Sequence, residues 1–270
     1  MSKSQQTGCF VLPPNPSRKG EGGLRTKGFF KKYFSDKPLI SIITVVFNEA
    51  DRLSDTIESV LNQDYPNIEY IVIDGGSTDS TVDIIRQYED RIDYWVSEPD
   101  TGIYDAMNKG WRVANDQSHI LFLGSGDRIL NLPDKTRGLL QDRVIYGVVH
   151  REDGTVWHST VNWTIRCHNT LHHQALLVPK QLHPEPPFDT VLKVYGDFDF
   201  NQRLFKAGTR FVRAPEFDSF ACKAGASAKY PFDEYVQVIR KNFGPGWAFL
   251  TILLEFLKRI KRSVIRTFRS

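Results

Sequence analysis

The strongest constraint on the fold is the segment 39–48, LISIITVVFN, an almost unbroken run of β-branched and apolar side chains. A strand with this pattern is buried on both faces, as strands of parallel sheets are. Similar strand patterns recur at 69–74, 92–98 and 119–127, and helical patterns separate them. The sequence therefore predicts an α/β fold with a doubly wound, mostly parallel sheet flanked by helices.

The segments between these strands predict helices. One is expected near 51–63, with Asn48 or Asp51 as its N-cap, and two more at 80–89 and 102–115. Sheets of this kind bind ligands beyond the carboxyl ends of their strands. Polar and glycine-rich residues follow those ends here, so a ligand crevice is expected at that edge.

The pattern is less regular after residue 127. Residues 144–150 and 155–159 predict an antiparallel hairpin, and 172–179 predict another strand. Residues 195–208 predict a helix that Gly208 ends. We expect these elements to form a smaller antiparallel region beside the parallel sheet.

The domain boundaries are predicted from composition. Proline and glycine interrupt residues 1–37, which we interpret as an irregular basic lead-in. A domain is expected at 38–235, with one half at 38–127 and the other at 128–235. Residues 236–270 are expected to form a basic amphipathic extension.

The net charge of +3 conceals an uneven distribution. Residues 1–38 contain eight Lys and Arg against two acidic residues, and residues 240–270 contain eight against one. The remaining residues, 39–239, carry 19 basic against 29 acidic residues, a net charge of −10. Such a body binds phosphate backbones poorly, which argues against a nucleic-acid partner and favours a metal ion wherever an anion is bound.

Composition also excludes several classes of protein. A chain of 270 residues with 40% hydrophobic and 25% charged residues is neither a collagen, a coiled coil nor a disordered chain. Its three cysteines, Cys9, Cys167 and Cys222, lack the spacing of a metal site and are typical of a reducing compartment. No secretory signal and no bilayer-spanning apolar run is visible, so a cytoplasmic location is expected.

The C-terminal segment predicts contact with a membrane surface. Its apolar stretch from Trp247 to Leu257 is too short to span a bilayer, and all of the charges that follow are positive. This pattern favours a helix lying peripherally on an anionic membrane, at the cytoplasmic face of the inner membrane. The alternative is a packed terminal helix with a solvated basic edge.

Two aspartates follow predicted strands. Asp74 precedes two glycines and is suited to accept hydrogens from a nucleoside, or to stabilise the turn. Asp127 ends LFLGSGD and is a candidate ligand for Mg²⁺ or Mn²⁺, which bind through one or two carboxylates and substrate phosphates. The alternative for Asp127 is a surface turn.

Asp197 and Asp199 lie two residues apart in a predicted helix, so their side chains diverge. One of them can point into the crevice as a general base, and helix capping is the alternative.

A short histidine cluster follows the predicted hairpin. Hydrogen bonding to substrate is expected of His173 and Gln174, and a structural histidine is the alternative. Zinc binding by His168 and His172 is disfavoured, because their segment reads as a loop.

Two longer strings resemble a known family. PLISIITVVFNEADRLSDTIESVLNQDYPNIEYIVIDGGSTDST and SEPDTGIYDAMNKG resemble the family-two inverting glycosyltransferases, which have the GT-A fold, and within them a bacterial subgroup that includes a colanic-acid glycosyltransferase. The resemblance covers about 38–215, and HHQALLVP and VYGDFDFNQRLFKAG give looser support. It implies transfer of a sugar from a nucleotide-diphosphate sugar to a saccharide or lipid-linked acceptor, in surface polysaccharide or glycolipid synthesis.

The resemblance also implies roles for residues. Asp197 matches the base of a single inverting displacement, and Asp127 matches the ligand of Mg²⁺ or Mn²⁺. The family's metal motif usually has two acids, whereas GSGD keeps only Asp127. His173 and Gln174 fall on the acceptor side, in 128–235, and 38–127 becomes the nucleotide-binding half. The residues implied for the nucleotide sugar are Val46, Phe47, Asn48, Glu49, Asp74, Ser77, Asp79, Asp105, Asn108, Lys109 and Ser125.

Two other functions remain open from the sequence. A nucleotidyltransferase would use a similar nucleotide-binding half, but its glycine-rich signature with basic triphosphate-binding residues is absent after the first strand. A non-catalytic nucleotide-sugar binding protein is consistent with the missing second acid.

Overall fold

The computed structural model describes residues 10–133, 140–223 and 231–267, with side chains to residue 257. Within these ranges the strands are β1 (Gly20–Gly22), β2 (Ile40–Val46), β3 (Ile68–Asp74), β4 (Tyr94–Ser97), β5 (His119–Gly124), β6 (Arg128–Asn131), β7 (Arg143–Arg151), β8 (Val156–His158), β9 (Leu176–Pro179) and β10 (Arg210–Ala221). The α-helices are α1 (Ala50–Leu61), α2 (Thr81–Gln87), α3 (Ile103–Val113), α4 (Gly196–Lys206), α5 (Phe232–Phe243) and α6 (Pro245–Thr267).

The strands form one mixed sheet in the order β1-β4-β3-β2-β5-β9-β7-β10-β6, and β8 pairs with β7. Strands β4, β3, β2 and β5 are parallel neighbours. The doubly wound, mostly parallel α/β arrangement predicted from the sequence is confirmed.

The second half of the chain extends this sheet. The expected hairpin is present as the antiparallel pair β7 and β8. Strand β7 also pairs with β9 and, in parallel, with β10. The expected smaller antiparallel region is therefore confirmed, and the pairing of β9 with β5 joins it to the parallel strands in one continuous sheet.

The core lies on both faces of the sheet. Along β2, Ile40 and Ile42 pack into one buried cluster, while Ile43 and Val45 pack into the other. Because successive side chains of a strand point to opposite faces, an unbroken apolar run is needed where helices cover both. This is the physical reason that LISIITVVFN is so uniformly apolar.

The N-terminal segment differs from the expected irregular lead-in. Strand β1 pairs antiparallel with β4 at the sheet edge, Leu12 lies in the core, and the buried Arg25 pairs with Glu69 of β3. Residues 10–28 are therefore an integral part of the domain. Cys9 and the rest of residues 1–9 lie outside the described residues.

Two further boundaries are corrected. Neither Asn48 nor Asp51 caps α1: Glu49 holds the N-cap position without a side-chain cap bond, and Asp51 lies in the first turn. The expected domain end at 235 falls inside α5, whose Val238 and Ile239 are fully buried. The domain continues because α5 packs against α4 and covers the same core.

The predicted C-terminal helix is present as α6, which packs on α5. Among the helices of the described ranges, none has the length and apolar character needed to cross a membrane.

Candidate active site

A cavity of about 390 Å³ opens at the carboxyl ends of β2 and β5. The N-terminal end of α3 and the first turn of α4 close its sides. Eight residues predicted from the sequence line it: Val46, Phe47, Glu49, Ser125, Asp127, His173, Gln174 and Asp197. The expected crevice is therefore present at the predicted edge of the sheet.

Asp127 is presented by a tight turn after β5. Gly126 adopts a φ of 91°, which disfavours any residue with a side chain, and its N–H donates to Thr56 Oγ1 at 2.9 Å. Thr56 Oγ1 in turn donates to the Asp127 carbonyl at 2.8 Å. The turn is thus tied to α1, which fixes the backbone of Asp127 at the cavity wall.

The Asp127 carboxylate is buried and oriented by N–H donors. Gln174 Nε2 donates to Oδ2 at 3.1 Å, and the Cys222 N–H donates to Oδ1 at 2.9 Å. Burial raises the pKa of Asp127, and the charge of His173 opposes that shift. Its burial excludes the surface-turn alternative considered from the sequence.

Asp197 and Asp199 diverge as their spacing predicts. Asp197 lines the cavity and accepts hydrogen bonds from Asn169 Nδ2 at 3.0 Å and from the Phe198 N–H at 2.7 Å. Asp199 is fully buried and accepts from Arg203 Nε at 2.8 Å. Between the two aspartates, only Asp197 can meet a ligand in this cavity.

One short turn connects the carboxylates of Asp127 and Asp197. The 3-10 helix His173–Ala175 carries His173, whose Nδ1 is 3.6 Å from Asp197 Oδ2, and Gln174, which contacts Asp127. Adjacent side chains of the expected HHQALLVP segment thus contact different acids. This arrangement positions Asp127 and Asp197 relative to each other.

Charge at the two neighbouring histidines differs. Burial alone would lower the pKa of His173, but the nearby carboxylates of Asp197 and Asp127 outweigh burial and raise it. Burial lowers the pKa of His172 to about 4. The neighbouring acids therefore favour the charged form of His173, whereas burial favours the neutral form of His172.

The mouth of the cavity contains residues that the sequence analysis did not single out. Asp100 lines it, accepts from the Gly102 N–H at 2.8 Å, and has a pKa raised by burial. Tyr104 and Cys222 also line it. Asp100 follows strand β4 within SEPD, so its position at a carboxyl end was the available signal.

Four residues predicted for the nucleotide site form hydrogen bonds within the protein instead. They lie in the loops that follow β2 and β3 and are Asn48, Asp74, Ser77 and Asp79. Asp74 is fully buried and accepts from Ser77 Oγ, Ser97 Oγ and the backbone N–H groups of 76 and 77. Asn48 Oδ1 accepts from the Thr78 N–H at 2.8 Å, and Asp79 accepts from the Ala50 N–H at 3.3 Å. These side chains organise the turn and do not line the cavity.

Three predicted residues on α3 also lie outside the cavity lining. Asp105 accepts from the Thr101 N–H at 3.0 Å. Asn108 is buried and bonds both backbone groups of Phe188. Lys109 donates to the Pro99 carbonyl at 2.8 Å and pairs with Glu98 at 3.1 Å. Lys109, which the resemblance implied for the nucleotide sugar, thus forms an internal ion pair in this structure.

The donor set at Asp127 suits a cation shared with a substrate. Across the described ranges, no group of three or more His, Cys, Asp or Glu side chains could hold a metal ion. Around Asp127, however, the buried oxygens Gln174 Oε1 and Ser125 Oγ have no hydrogen-bond partner among the described residues. Hard divalent cations commonly bind through one carboxylate and substrate phosphates, so these residues fit such an ion. His168 Nδ1 contacts Tyr235 Oη at 2.9 Å.

One family model matches part of this domain. Residues 41–129 match the model of Glycosyl transferase family 2. The matched segment runs from β2 to the turn that holds Asp127.

Curated relatives match over similar segments. An uncharacterized glycosyltransferase of Mycobacterium tuberculosis is 48% identical over 93 residues, 34% of this chain and 35% of that protein. The putative teichuronic acid biosynthesis glycosyltransferase TuaG of Bacillus subtilis is 41% identical over 95 residues, 34% of this chain and 37% of that protein. A PGL/p-HBAD biosynthesis glycosyltransferase of Mycobacterium bovis is 28% identical over 180 residues, 62% of this chain and 70% of that protein. The first two matches span about a third of each relative.

Solved structures share the fold. Staphylococcus aureus TarS 1–349 in complex with UDP-GlcNAc has a TM-score of 0.59 at 18% identity, covering 76% of this chain and 66% of that one. The mannosyltransferase PcManGT from Pyrobaculum calidifontis, in complex with GDP-Man and Mn²⁺, has a TM-score of 0.58 at 18% identity, covering 86% and 74%. The chain has the GT-A fold.

Proposed function

We propose that this chain is a glycosyltransferase that moves a sugar from a nucleotide-diphosphate sugar to an acceptor hydroxyl, with inversion. The observation that carries the proposal is the pairing of Asp127 and Asp197 in one cavity, at the ligand-binding edge of a GT-A sheet, through His173 and Gln174. Two carboxylates in different environments suit the two tasks of the reaction, holding a diphosphate and removing a proton.

Asp197 is assigned the role of general base. Asn169 and the Phe198 N–H hold the carboxylate in place, and the cavity leaves it open to an incoming hydroxyl. The acceptor oxygen attacks the anomeric carbon as its proton passes to Asp197, and the bond to the diphosphate breaks on the opposite side. A single displacement of this kind inverts the configuration.

Asp127 is assigned to a divalent cation, Mg²⁺ or Mn²⁺, with Ser125 Oγ and Gln174 Oε1 as the further oxygens of the wall. When bound, such an ion supplies positive charge to the diphosphate leaving group. Residues 39–239 carry a net charge of −10, so a cation is needed to offset the charge of a bound diphosphate. Removal of the ion with EDTA should therefore abolish turnover.

The nucleoside is assigned to the cavity mouth. Val46, Phe47 and Glu49 follow β2 directly, and the Phe47 ring is mostly exposed. An exposed aromatic ring next to backbone and carboxylate acceptors suits a base and ribose. The turn around Asp74 is hydrogen-bonded within itself and lies outside the lining of the cavity.

The names of two relatives support a role in cell-surface glycan or glycolipid synthesis, since one acts in teichuronic acid and one in PGL/p-HBAD biosynthesis. The narrower likeness to the colanic-acid subgroup stays a prediction from the sequence motifs. A cytoplasmic location stays a prediction as well.

The proposal is tested with the purified full chain, a panel of nucleotide sugars, and Mg²⁺ or Mn²⁺. Release of nucleoside diphosphate measures donor cleavage, and calorimetry measures donor binding. Asp197→Asn should lose transfer by about 10²- to 10⁴-fold while donor binding is retained. Asp127→Asn should lose metal-dependent donor binding.

The matched control is Asp83→Asn, an exposed acid on α2 that pairs with Arg86 at 3.1 Å. This variant should leave both donor cleavage and donor binding unchanged. Near-normal turnover of the Asp197→Asn variant would reject the base assignment. Donor binding without any cleavage points to a non-catalytic binding protein, and consumption of nucleoside triphosphate with pyrophosphate release points to a nucleotidyltransferase.

A further inference from the structure

We propose that the exposed face of α6, together with Trp163, is a docking surface for an anionic lipid bilayer. The surface is called the α6 patch below and consists of Trp163, Phe249, Ile252, Leu253, Phe256 and Leu257. The inference goes beyond the proposed transfer reaction and does not depend on it.

The apolar stripe of α6 faces solvent. The five helix residues of the patch follow the spacing i, i+3, i+4, i+7, i+8, which normally marks the core-facing side of a helix. Here they are 42% to 68% exposed. The packed side is formed instead by Ala248 and Thr251, which are almost fully buried. The helix therefore has a second apolar face that the described residues of the domain leave exposed.

The sequence that follows this stripe is positively charged. Residues 256–270 contain no acidic residue, and α6 continues as a helix to Thr267. Basic side chains near an anionic leaflet each contribute about 1 kcal/mol of attraction. The basic residues in this part of the sequence are Lys258, Arg259, Lys261, Arg262, Arg266 and Arg269.

Trp163 extends the patch beyond α6. It belongs to the 3-10 helix Trp163–Arg166, is 58% exposed, and its ring lies 6.4 Å from that of Trp247. The Arg166 guanidinium lies 4.9 Å from the Trp247 ring centroid. Exposed tryptophan suits a membrane interface, because its ring is apolar and its N–H is polar. These contacts fix α6 against the domain, so docking would orient the whole enzyme.

The orientation is relevant to the cavity. The segment that begins at Trp163 continues to Asn169, which holds Asp197, and to His173. The acceptor side of the cavity and the α6 patch thus share one short segment of chain.

Charge favours a bilayer over a second copy of the chain. Two copies meeting through α6 would bring two strongly basic helices together, and like charges oppose that association. An anionic surface instead matches both the apolar stripe and the charge that follows it.

The test is co-sedimentation of the full chain with vesicles of phosphatidylcholine alone or of phosphatidylcholine mixed with phosphatidylglycerol. Binding is expected to the mixed vesicles only and should weaken with salt. The double variant Phe249→Gln/Phe256→Gln should reduce the partition coefficient by about tenfold or more. Both side chains are exposed, so the fold should persist, and circular dichroism checks this.

The matched control is Leu130→Gln/Val191→Gln, two exposed apolar residues away from the patch. It should bind vesicles as the wild type does. Tryptophan emission should shift to the blue on vesicle addition, and Trp163→Phe should reduce that shift. Absence of binding to the anionic vesicles, or equal binding by the Phe249→Gln/Phe256→Gln variant, would overturn the proposal. Concentration-dependent dimers in light scattering, lost in that variant without vesicle binding, would assign the patch to a second copy.

Discussion

Replacing Arg25 with methionine tests whether the N-terminal segment is part of the folded domain. The Arg25 and Glu69 side chains are each 1% exposed and form an ion pair. Arg25 Nη1 also donates to the carbonyls of Phe10 at 2.8 Å and Val113 at 2.7 Å. The guanidinium therefore joins three separate parts of the chain.

The expected loss follows from what the substitution leaves behind. Glu69 would keep its hydrogen bonds from Ser41 Oγ and the Asn115 N–H, but would lose its only described cation, and two carbonyls would lose their donor. Removing one partner of a buried pair costs about 3–5 kcal/mol. Because domains are commonly stable by only about 5–15 kcal/mol, Arg25→Met should lower the free energy of unfolding by a large fraction.

Urea unfolding followed by circular dichroism measures this loss. The double variant Arg25→Met/Glu69→Gln should be more stable than Arg25→Met alone, because no unpaired charge stays buried. Lys27→Met is the control, since the Lys27–Asp90 pair is exposed and its loss should leave the midpoint unchanged. If Arg25→Met unfolds at the midpoint of the Lys27→Met variant, the buried pair does not stabilise the domain and the reasoning is refuted.

Three further predictions concern the site, the sheet and acid stability. His173→Gln should lower kcat by about 10- to 100-fold, with donor binding by calorimetry unchanged, because Asp197 loses a positioning contact; unchanged kcat would contradict this. Gly147→Ala should lower the free energy of unfolding by about 1–3 kcal/mol, since its Cβ would overlap the Phe217 carbonyl across β7 and β10; an unchanged urea midpoint would contradict this. Burial lowers the pKa of His183 to about 3. Below about pH 6.5 the unfolded state therefore binds more protons than the folded state. The free energy of unfolding should fall on acidification, by about 1.4 kcal/mol per pH unit at most. Urea midpoints at several pH values should show a weaker dependence in His183→Asn, and equal slopes would count against this assignment.

The location of the candidate site could be predicted from the sequence, but the residues that line it could be predicted only in part. Asp74 and Asp127 look alike in sequence, since each follows a buried strand and precedes or follows glycine. The structure separates them: Asp74 accepts hydrogen bonds from three donors of its own turn and from Ser97 of β4, whereas Asp127 lines the cavity. Which strand-end carboxylate faces a ligand depends on the loops around it, and local sequence does not record that arrangement.

The same limit applies to helix α3. Asn108 and Lys109 occupy the positions that the family resemblance suggested, yet their partners, Phe188 and Glu98, come from other elements. A helix has several faces, and only packing against the rest of the chain determines which one meets the ligand. By contrast, the divergence of Asp197 and Asp199 was predictable, because it follows from helix geometry alone.

The sequence by itself determined the alternation of strands and helices between residues 39 and 127, the parallel sheet and the edge where the cavity opens. Local patterns were sufficient because a strand covered on both faces must be apolar throughout, as β2 is. Tertiary structure decided that residues 10–28 belong to the domain, since that depends on a buried pair between Arg25 and the distant Glu69. Glu69 is a charged residue within a buried strand, and a buried charge needs a partner of opposite charge. The sequence therefore indicates that a cation contacts Glu69, but only the folded chain identifies that cation as Arg25.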